Sequence, residues 1–316
     1  MVVSSPRNWS AYNAALRGHG RLDLFITADE LQHWAWCGPR KPGGKLLYSD
    51  RVIEICYIVR EYFGLGLRQT EGFLQSLLDK LQLGLKAPDY TTLSRRLASI
   101  DVTLQPLTDN GHSLVLAVDS TGLSVLNRGE WNRLKHRKAD YSFSAKWRKL
   151  HIVIDVGSGQ ILNADYSSAT TQDGEKLAHL LDGIEVPIER VCADMAYDTA
   201  PCRKILATRG IRQCIPPRTN ACLSKNNRNL RSSHWALKER DDALNYIKHN
   251  TINGSSYLAR ASWKRNVGYH VRSLVETAMS RLKAHTGYFL TSRTEQRRRN
   301  QAMIKCKLVN LLLTAH

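Results

Sequence analysis

Apolar positions in the first hundred residues recur at helical spacing. Over residues 49–63, Val52, Ile53, Ile55, Cys56 and Val59 fall on one side of a helix, with Ser49 or Asp50 as its cap and Gly64 and Gly66 as its interruption. A second helix is predicted over 68–81, containing Phe73, Leu74, Leu77, Leu78 and Leu81. A third, over 90–100 and capped by Asp89, turns Leu93, Leu97 and Ile100 inward and leaves Thr91, Thr92, Ser94, Arg95 and Arg96 facing out. Three such helices suit a helix-turn-helix-like module with the third as recognition helix, which makes Arg95 and Arg96 candidate DNA contacts; a plain three-helix bundle has the same pattern.

Past His112 the helical period gives way to short apolar runs. Residues 113–119 form one that ends in Asp119; 149–155 and 160–166 form a hairpin about Gly157-Ser158-Gly159; 190–194 form a run that ends in Asp194; and 212–215 are stopped by Pro216 and Pro217. Helices are expected at 174–181 and about 200–209. This β-β-β-α-β-α-β order predicts an α/β fold, a ribonuclease H-like mixed sheet flanked by helices, behind an all-α N-terminal domain. The domains would be 1–105 and 112–316, joined by a linker at 101–111, with a polar, basic insertion at about 218–263.

One further helical stretch organises the rest. At about 100° per residue, Tyr269, Arg272, Glu276 and Lys283 share an arc of roughly 60°, with Val271, Leu274, Val275, Ala278 and Leu282 opposite and Gly287 placed to terminate the helix. Glu276 is the only acid between Asp242 and Glu295. It is either the partner of Arg272 at i,i+4 spacing or a metal ligand whose cationic neighbours hold phosphate.

Charge sharpens this choice. The net charge is +18, and residues 1–198 hold 23 Lys and Arg against 23 Asp and Glu, whereas 199–316 hold 23 against 5. A polyanion such as nucleic acid is the expected partner of that last third. Seven cysteines without a C-x-x-C pair read as reduced packing residues, and the absence of a long apolar run or a signal-peptide pattern predicts a cytoplasmic chain with no membrane span.

If the strands ending in Asp119 and Asp194 are neighbours, two carboxylates meet at one sheet edge and repel unless a cation lies between them. Glu276 would add a third hard oxygen ligand, a set suited to Mg²⁺ or Mn²⁺, and two ions about 4 Å apart would serve phosphodiester cleavage. Asp155 and Asp165 are expected to be turn or solvent residues, and Asp198 to cap the next helix. No Ser/His/Asp set, phosphate-cradling glycine loop or nicotinamide fingerprint is present.

Several stretches resemble those of a known family. They are Val-Asp-Ser-Thr-Gly-Leu at 118–123, Gly-Glu-Trp at 129–131 with Lys-Trp-Arg-Lys-Leu-His at 146–151, Ala-Asp-Met-Ala-Tyr-Asp-Thr at 193–199 and Ile-Pro-Pro-Arg-Thr-Asn at 215–220. Together with the spacing of Tyr269, Arg272, Glu276 and Lys283, the chain resembles DDE transposases of bacterial insertion sequences, in the insertion-sequence-five group. The resemblance implies a catalytic and metal-binding triad of Asp119, Asp194 and Glu276 using Mg²⁺, with Mn²⁺ as a substitute and two ions in the site. It also implies phosphate contacts from Arg272 and Lys283, support or stacking from Tyr269, and further DNA contacts from Arg218 and Trp131. Trp147 is a second stacking candidate, although a core role suits either tryptophan. The partners would be double-stranded DNA, as terminal inverted repeats and target, and a second copy of the chain in a synaptic homodimer, at the bacterial nucleoid. Two other readings share these features: a catalytically inactive DNA-binding repressor, and a ribonuclease H-like structure-selective nuclease.

Overall fold

The computed structural model describes residues 8–39, 46–104, 112–125 and 147–314. The chain begins with α1 (Trp9–Gly18) and the short α2 (Ala28–Gln32), where Thr27 and Glu30 form a capping box. In α3 (Asp50–Phe63) the Ser49 hydroxyl accepts from the Val52 N–H and Gly64 closes the helix at φ +65°. All five apolar residues expected on its inner face are buried. In α4 (Leu67–Lys80) Leu74 and Leu78 are buried, but Phe73 is exposed, so the inner stripe is narrower than the apolar count suggested. In α5 (Tyr90–Arg96) Asp89 accepts from the N–H groups of Thr91 and Thr92, and Leu93, Leu97 and Ile100 are buried as expected, although the helix ends one turn early. The Thr91 and Thr92 hydroxyls also donate to Asp89 and, with these N–H groups in second place, hold its carboxyl below the usual carboxylate range.

The sheet follows. Strand β1 (Leu114–Val125) pairs antiparallel with β2 (Trp147–Asp155), which pairs antiparallel with β3 (Ile161–Ser168). After α6 (Leu177–Leu181), β4 (Ile188–Cys192) lies parallel to β1 on its other side. After α7 (Ala200–Thr208), β5 (Arg212–Cys214) extends the sheet parallel to β4. The order β3-β2-β1-β4-β5 is that of a ribonuclease H-like sheet. One face buries Leu116, Val118, Val153, Val191 and Ala193 against Leu177, Leu180, Tyr197, Cys202 and Leu206. The hairpin turns at Gly159, φ +73°, where Asp155 accepts from the Ser158 N–H.

The basic stretch after Arg218 is structured. It contains α8 (Lys238–His249) and α9 (Tyr257–Asn266), which bury Ala243, Ile247, Ala259 and Trp263 against one another. Then come α10 (Ser273–Thr286) and the 19-residue α11 (Glu295–Leu313). Among the described residues no helix is long and apolar enough to cross a membrane. Five of the seven cysteines are buried and all are free, as packing residues should be.

The chain divides into two compact units: Met1–Thr103 with Leu282–His316, and Leu104–Arg281. The last 35 residues, which the sequence reading groups with the sheet, therefore cluster with the N-terminal helices. In that unit Asn300 of α11 donates to the carbonyls of Leu97 and Ile100, at 2.6 and 2.9 Å, and Lys305 lies 2.9 Å from Glu61.

Candidate active site

Register brings the first two acids together. The parallel pairing of β1 and β4 sets Ala117 beside Cys192, and two residues further on stand Asp119 and Asp194. Adjacent strands run about 4.8 Å apart, and side chains two positions apart share a face. Because Leu116, Val118, Val191 and Ala193 take the face packed by α6 and α7, Asp119 and Asp194 belong to the opposite one. Asp119 is not at a strand end as expected: β1 continues to Val125 because its antiparallel partner β2 is longer than β4. It is the end of the β1–β4 pairing that leaves Asp119 accessible.

The opposite face is covered by the segment leading into Glu276. Arg190 donates to the Val267 carbonyl at 3.0 Å, and Gly268 turns the chain at φ +69°, a left-handed conformation where an added Cβ would stand 2.8 Å from the Arg190 guanidinium. The predicted helix is broken here: Tyr269–Arg272 form a 3-10 turn and the α-helix starts at Ser273. Val275, Ala278 and Leu282 are buried as expected, whereas Leu274 is exposed, since the tighter turn rotates the helix relative to a continuous α projection.

Arg272 links the acids. One guanidinium nitrogen donates to Asp119 Oδ2 at 2.6 Å and the other to Glu276 Oε1. Both sequence readings of Glu276 thus meet in one residue, since its i,i+4 ion pair lies against a second acid. Asp119 also accepts from its neighbour's N–H (Ser120, 2.8 Å), and Asp194 Oδ1 accepts from Ala196 at 2.8 Å. Burial raises the Asp119 carboxyl above its ordinary pKa; Ser120 and Arg272 oppose this and the Asp194 charge reinforces it. Among the described residues no three His, Cys, Asp or Glu side chains stand close enough to enclose a metal ion. Asp119 and Asp194 are brought together, and Glu276 is joined to them through Arg272 with more than half of its side chain exposed.

The surrounding residues sort differently from expectation. Tyr269 lies with Lys264 Nζ 5.1 Å from its ring centre, and burial pushes its hydroxyl up to about 12. The Arg218 guanidinium donates to the carbonyls of Met195 and Ala196, at 3.3 and 3.4 Å, bracing the turn after Asp194. Lys283 is exposed further along α10, in the part assigned to the helical unit. Arg95 is exposed, but Arg96 is buried, donating to Asp50 and to the Tyr48 carbonyl, and is therefore a structural residue rather than a free DNA contact. Trp131 lies outside the described residues, and Trp147 opens β2 with its ring against Gly122.

Two of the secondary acids also depart from expectation. Asp165 is buried beside Lys176, 3.0 Å away. Asp198 caps nothing: Thr199 caps α7, while Asp198 is buried between Arg203 and Arg240, at 2.9 and 3.1 Å, and accepts from the Arg218 N–H.

Two buried polar groups on the face of the sheet packed by α6 and α7 went unread in the sequence. His151 Nε2 contacts Ser167 Oγ at 2.8 Å, and its Nδ1 stands 3.5 Å from Asp173 without a hydrogen bond. The Tyr197 hydroxyl is likewise buried and unpartnered; burial raises its pKa, and the charges of Asp173, Asp119 and Asp194 add to the rise. The signal available was position alone, because both residues stand inside the stretches that resemble the family.

A mixed sheet of this order, with one carboxylate on a central strand, a second just beyond the end of its parallel neighbour and a third following on a helix, defines the ribonuclease H-like class of polynucleotide-processing enzymes. Residues 110–313 match the family described as Transposase DDE domain, and residues 17–128 match a second family of the same description. The chain belongs to the DDE transposases: it is a DNA transposase and depends on divalent metal ions. Among solved structures it is similar to a piggyBac transposase synaptic complex with hairpin DNA, at 14% identity over 94% of this chain and 74% of that chain, with a TM-score of 0.41. That likeness is too distant to support an inference.

Proposed function

We propose that the protein binds the terminal inverted repeats of its own insertion sequence, nicks the DNA at the element ends and joins the freed 3′-hydroxyls to target DNA. The observation that supports this most is the parallel pairing of β1 and β4, which ends at Ala117 beside Cys192 two residues before Asp119 and Asp194, with Arg272 tying Glu276 to Asp119. Three carboxylates are hard oxygen donors that suit Mg²⁺, with Mn²⁺ as a substitute and two ions as the working number. Asp119, Asp194 and Glu276 would hold them, and bound metal would supply positive charge to the phosphoryl oxygens during displacement.

The remaining roles belong to the protein's own cations. Arg272, now shared by two carboxylates, turns toward a scissile phosphate when DNA enters, because its planar fork fits phosphate as well as carboxylate. Lys283 holds phosphate as a point charge, and Tyr269 supports the Arg272 side chain. Arg218 acts through the turn that carries Asp194. Two ends joined together require two copies of the chain, so the working form is a homodimer. The helical unit binds the repeats, with Arg95 facing the duplex.

Cleavage of labelled element ends, with and without Mg²⁺, tests the reading. Asp119→Asn, Asp194→Asn and Glu276→Gln are each expected to abolish cutting while leaving duplex binding in chelator within a few-fold of wild type. Retained cutting in any one variant removes that residue from the site. A wild-type protein that binds the repeats but cuts nothing under any divalent metal is a repressor instead, and cutting of hybrids or junctions without preference for the ends marks a structure-selective nuclease.

A further inference from the structure

Four arginines that belong to no catalytic role meet inside the helical unit. Arg60 of α3, Arg95 of α5, Arg293 in the turn before α11 and Arg297 within α11 line one cavity of about 410 Å³, together with the hydroxyls of Ser94 and Thr291. No acidic side chain lines it. Arg60 is partly spent, on Glu61 and on the Thr291 hydroxyl at 2.8 Å. Arg95, Arg293 and Arg297 pair with no carboxylate among the described residues, and the Nε–H groups of Arg60 and Arg297 are buried without an acceptor.

Four cations around one space with no acidic side chain among them repel each other, and an anion with several acceptor oxygens would relieve that repulsion. Phosphate has that chemistry, and guanidinium forks are built to bind it in pairs of hydrogen bonds. The volume lies in the range of sites that hold whole small ligands and exceeds what one inorganic ion needs. We propose that this cavity seats a stretch of DNA phosphodiester backbone, a contact that positions the duplex without reading its bases. It is assembled from both ends of the chain, so α5 meets DNA only beside a wall supplied by the C-terminal segment. The proposal rests on the protein's acting on DNA, and it is independent of the catalytic acids.

The test uses the full chain in excess chelator, so that cutting plays no part, with a fluorescent duplex of about 30 base pairs and arbitrary sequence, since phosphate contacts do not depend on sequence. Anisotropy titrations over a range of KCl would compare wild type, Arg293→Ala, the Arg293→Ala/Arg297→Ala double variant and Arg17→Ala as an exposed control. The double variant is expected to bind roughly tenfold more weakly and to flatten the slope of log affinity against log salt by about 1 to 2. Arg293→Ala, at an exposed position that leaves the fold intact, should flatten it by about 1, and Arg17→Ala should change neither quantity. Variants matching a wild type that binds DNA overturn the cavity alone. A wild type that binds no duplex overturns both this proposal and the function it rests on. In a parallel arm, inorganic phosphate that raises the melting temperature of wild type but not of the double variant, with duplex affinity equal in the two, assigns the cavity to a free anion and also overturns the proposal.

Discussion

Arg272 shows what single residues contribute, since one guanidinium touches two of the three acids and ties Glu276 to Asp119. On the other face of the sheet from these acids, His151 is kept neutral by burial, which lowers its pKa to about 4, with Asp173 and Asp165 opposing the shift and Lys149 and Lys176 reinforcing it. An unfolded histidine titrates near 6.5, so between pH 6.5 and 4 the unfolded chain binds the proton and the folded one does not. The contribution is therefore complete above pH 6.5 and is lost as pH falls toward 4, by about 3 kcal/mol. Thermal melts from pH 7.5 to 4 are expected to show this loss in wild type and a shallower one in His151→Gln; equal slopes would remove His151 as the cause. At this scale the sequence was only partly legible. Glu276 stood out because it is isolated among cations, a property of neighbours along the chain. Arg96 was misread because its partner, Asp50, is 46 residues away, and helical periodicity reports which way a side chain points but not what waits there.

Elements were legible wherever local chemistry decides. Ser49, Asp89 and Thr199 cap helices through their own side chains, and Gly64, Gly159 and Gly287 take the left-handed backbone that ends a helix or turns a hairpin. Asp198 was assigned to a cap by the same logic and is instead the buried joint between α7 and α8, holding Arg203 and Arg240. Asp198→Ala would strand an almost fully buried Arg203, and breaking a buried pair in this way costs about 3–5 kcal/mol. A fall in melting temperature of several degrees is the expected result, with cutting lost as well because the Asp198 carboxylate also holds the Arg218 backbone beside the turn after Asp194. A variant that melts like wild type would show that the arginines find other partners. The break at Gly268 was missed for a different reason: a continuous helical projection cannot register a 3-10 turn, in which the angular step is larger.

Across the whole molecule, the path of the chain outweighs its order. Residues 282–316 complete the N-terminal helical unit, where α11 buries Asn300, Gln301 and Lys305 against groups from α3 and the end of α5. Deleting Glu295–Leu313 and the three residues after it is expected to remove the cooperative melting of that unit and much of the helical circular dichroism beyond the helix deleted, whereas cutting before Asn8 should not. A truncated chain with an unchanged transition would show that α1–α5 fold alone. No sequence pattern announced this closure, because α11 has no apolar stripe: its buried positions include Asn300, Gln301 and Lys305, whose partners are Glu61 and the Leu97 carbonyl.

The linear sequence by itself determined the helices of 49–96, the β-β-β-α-β-α-β order and the basic bias of the last third, since these follow from short-range periodicity, capping chemistry and composition. Tertiary structure alone decided that Asp119 and Asp194 follow the same end of the β1–β4 pairing, that Arg272 stands between two acids, and that the arginines of α3, α5 and α11 line one cavity. Each of those is a meeting of residues tens to hundreds of positions apart, and it is set by strand pairing and packing, which depend on the whole chain at once.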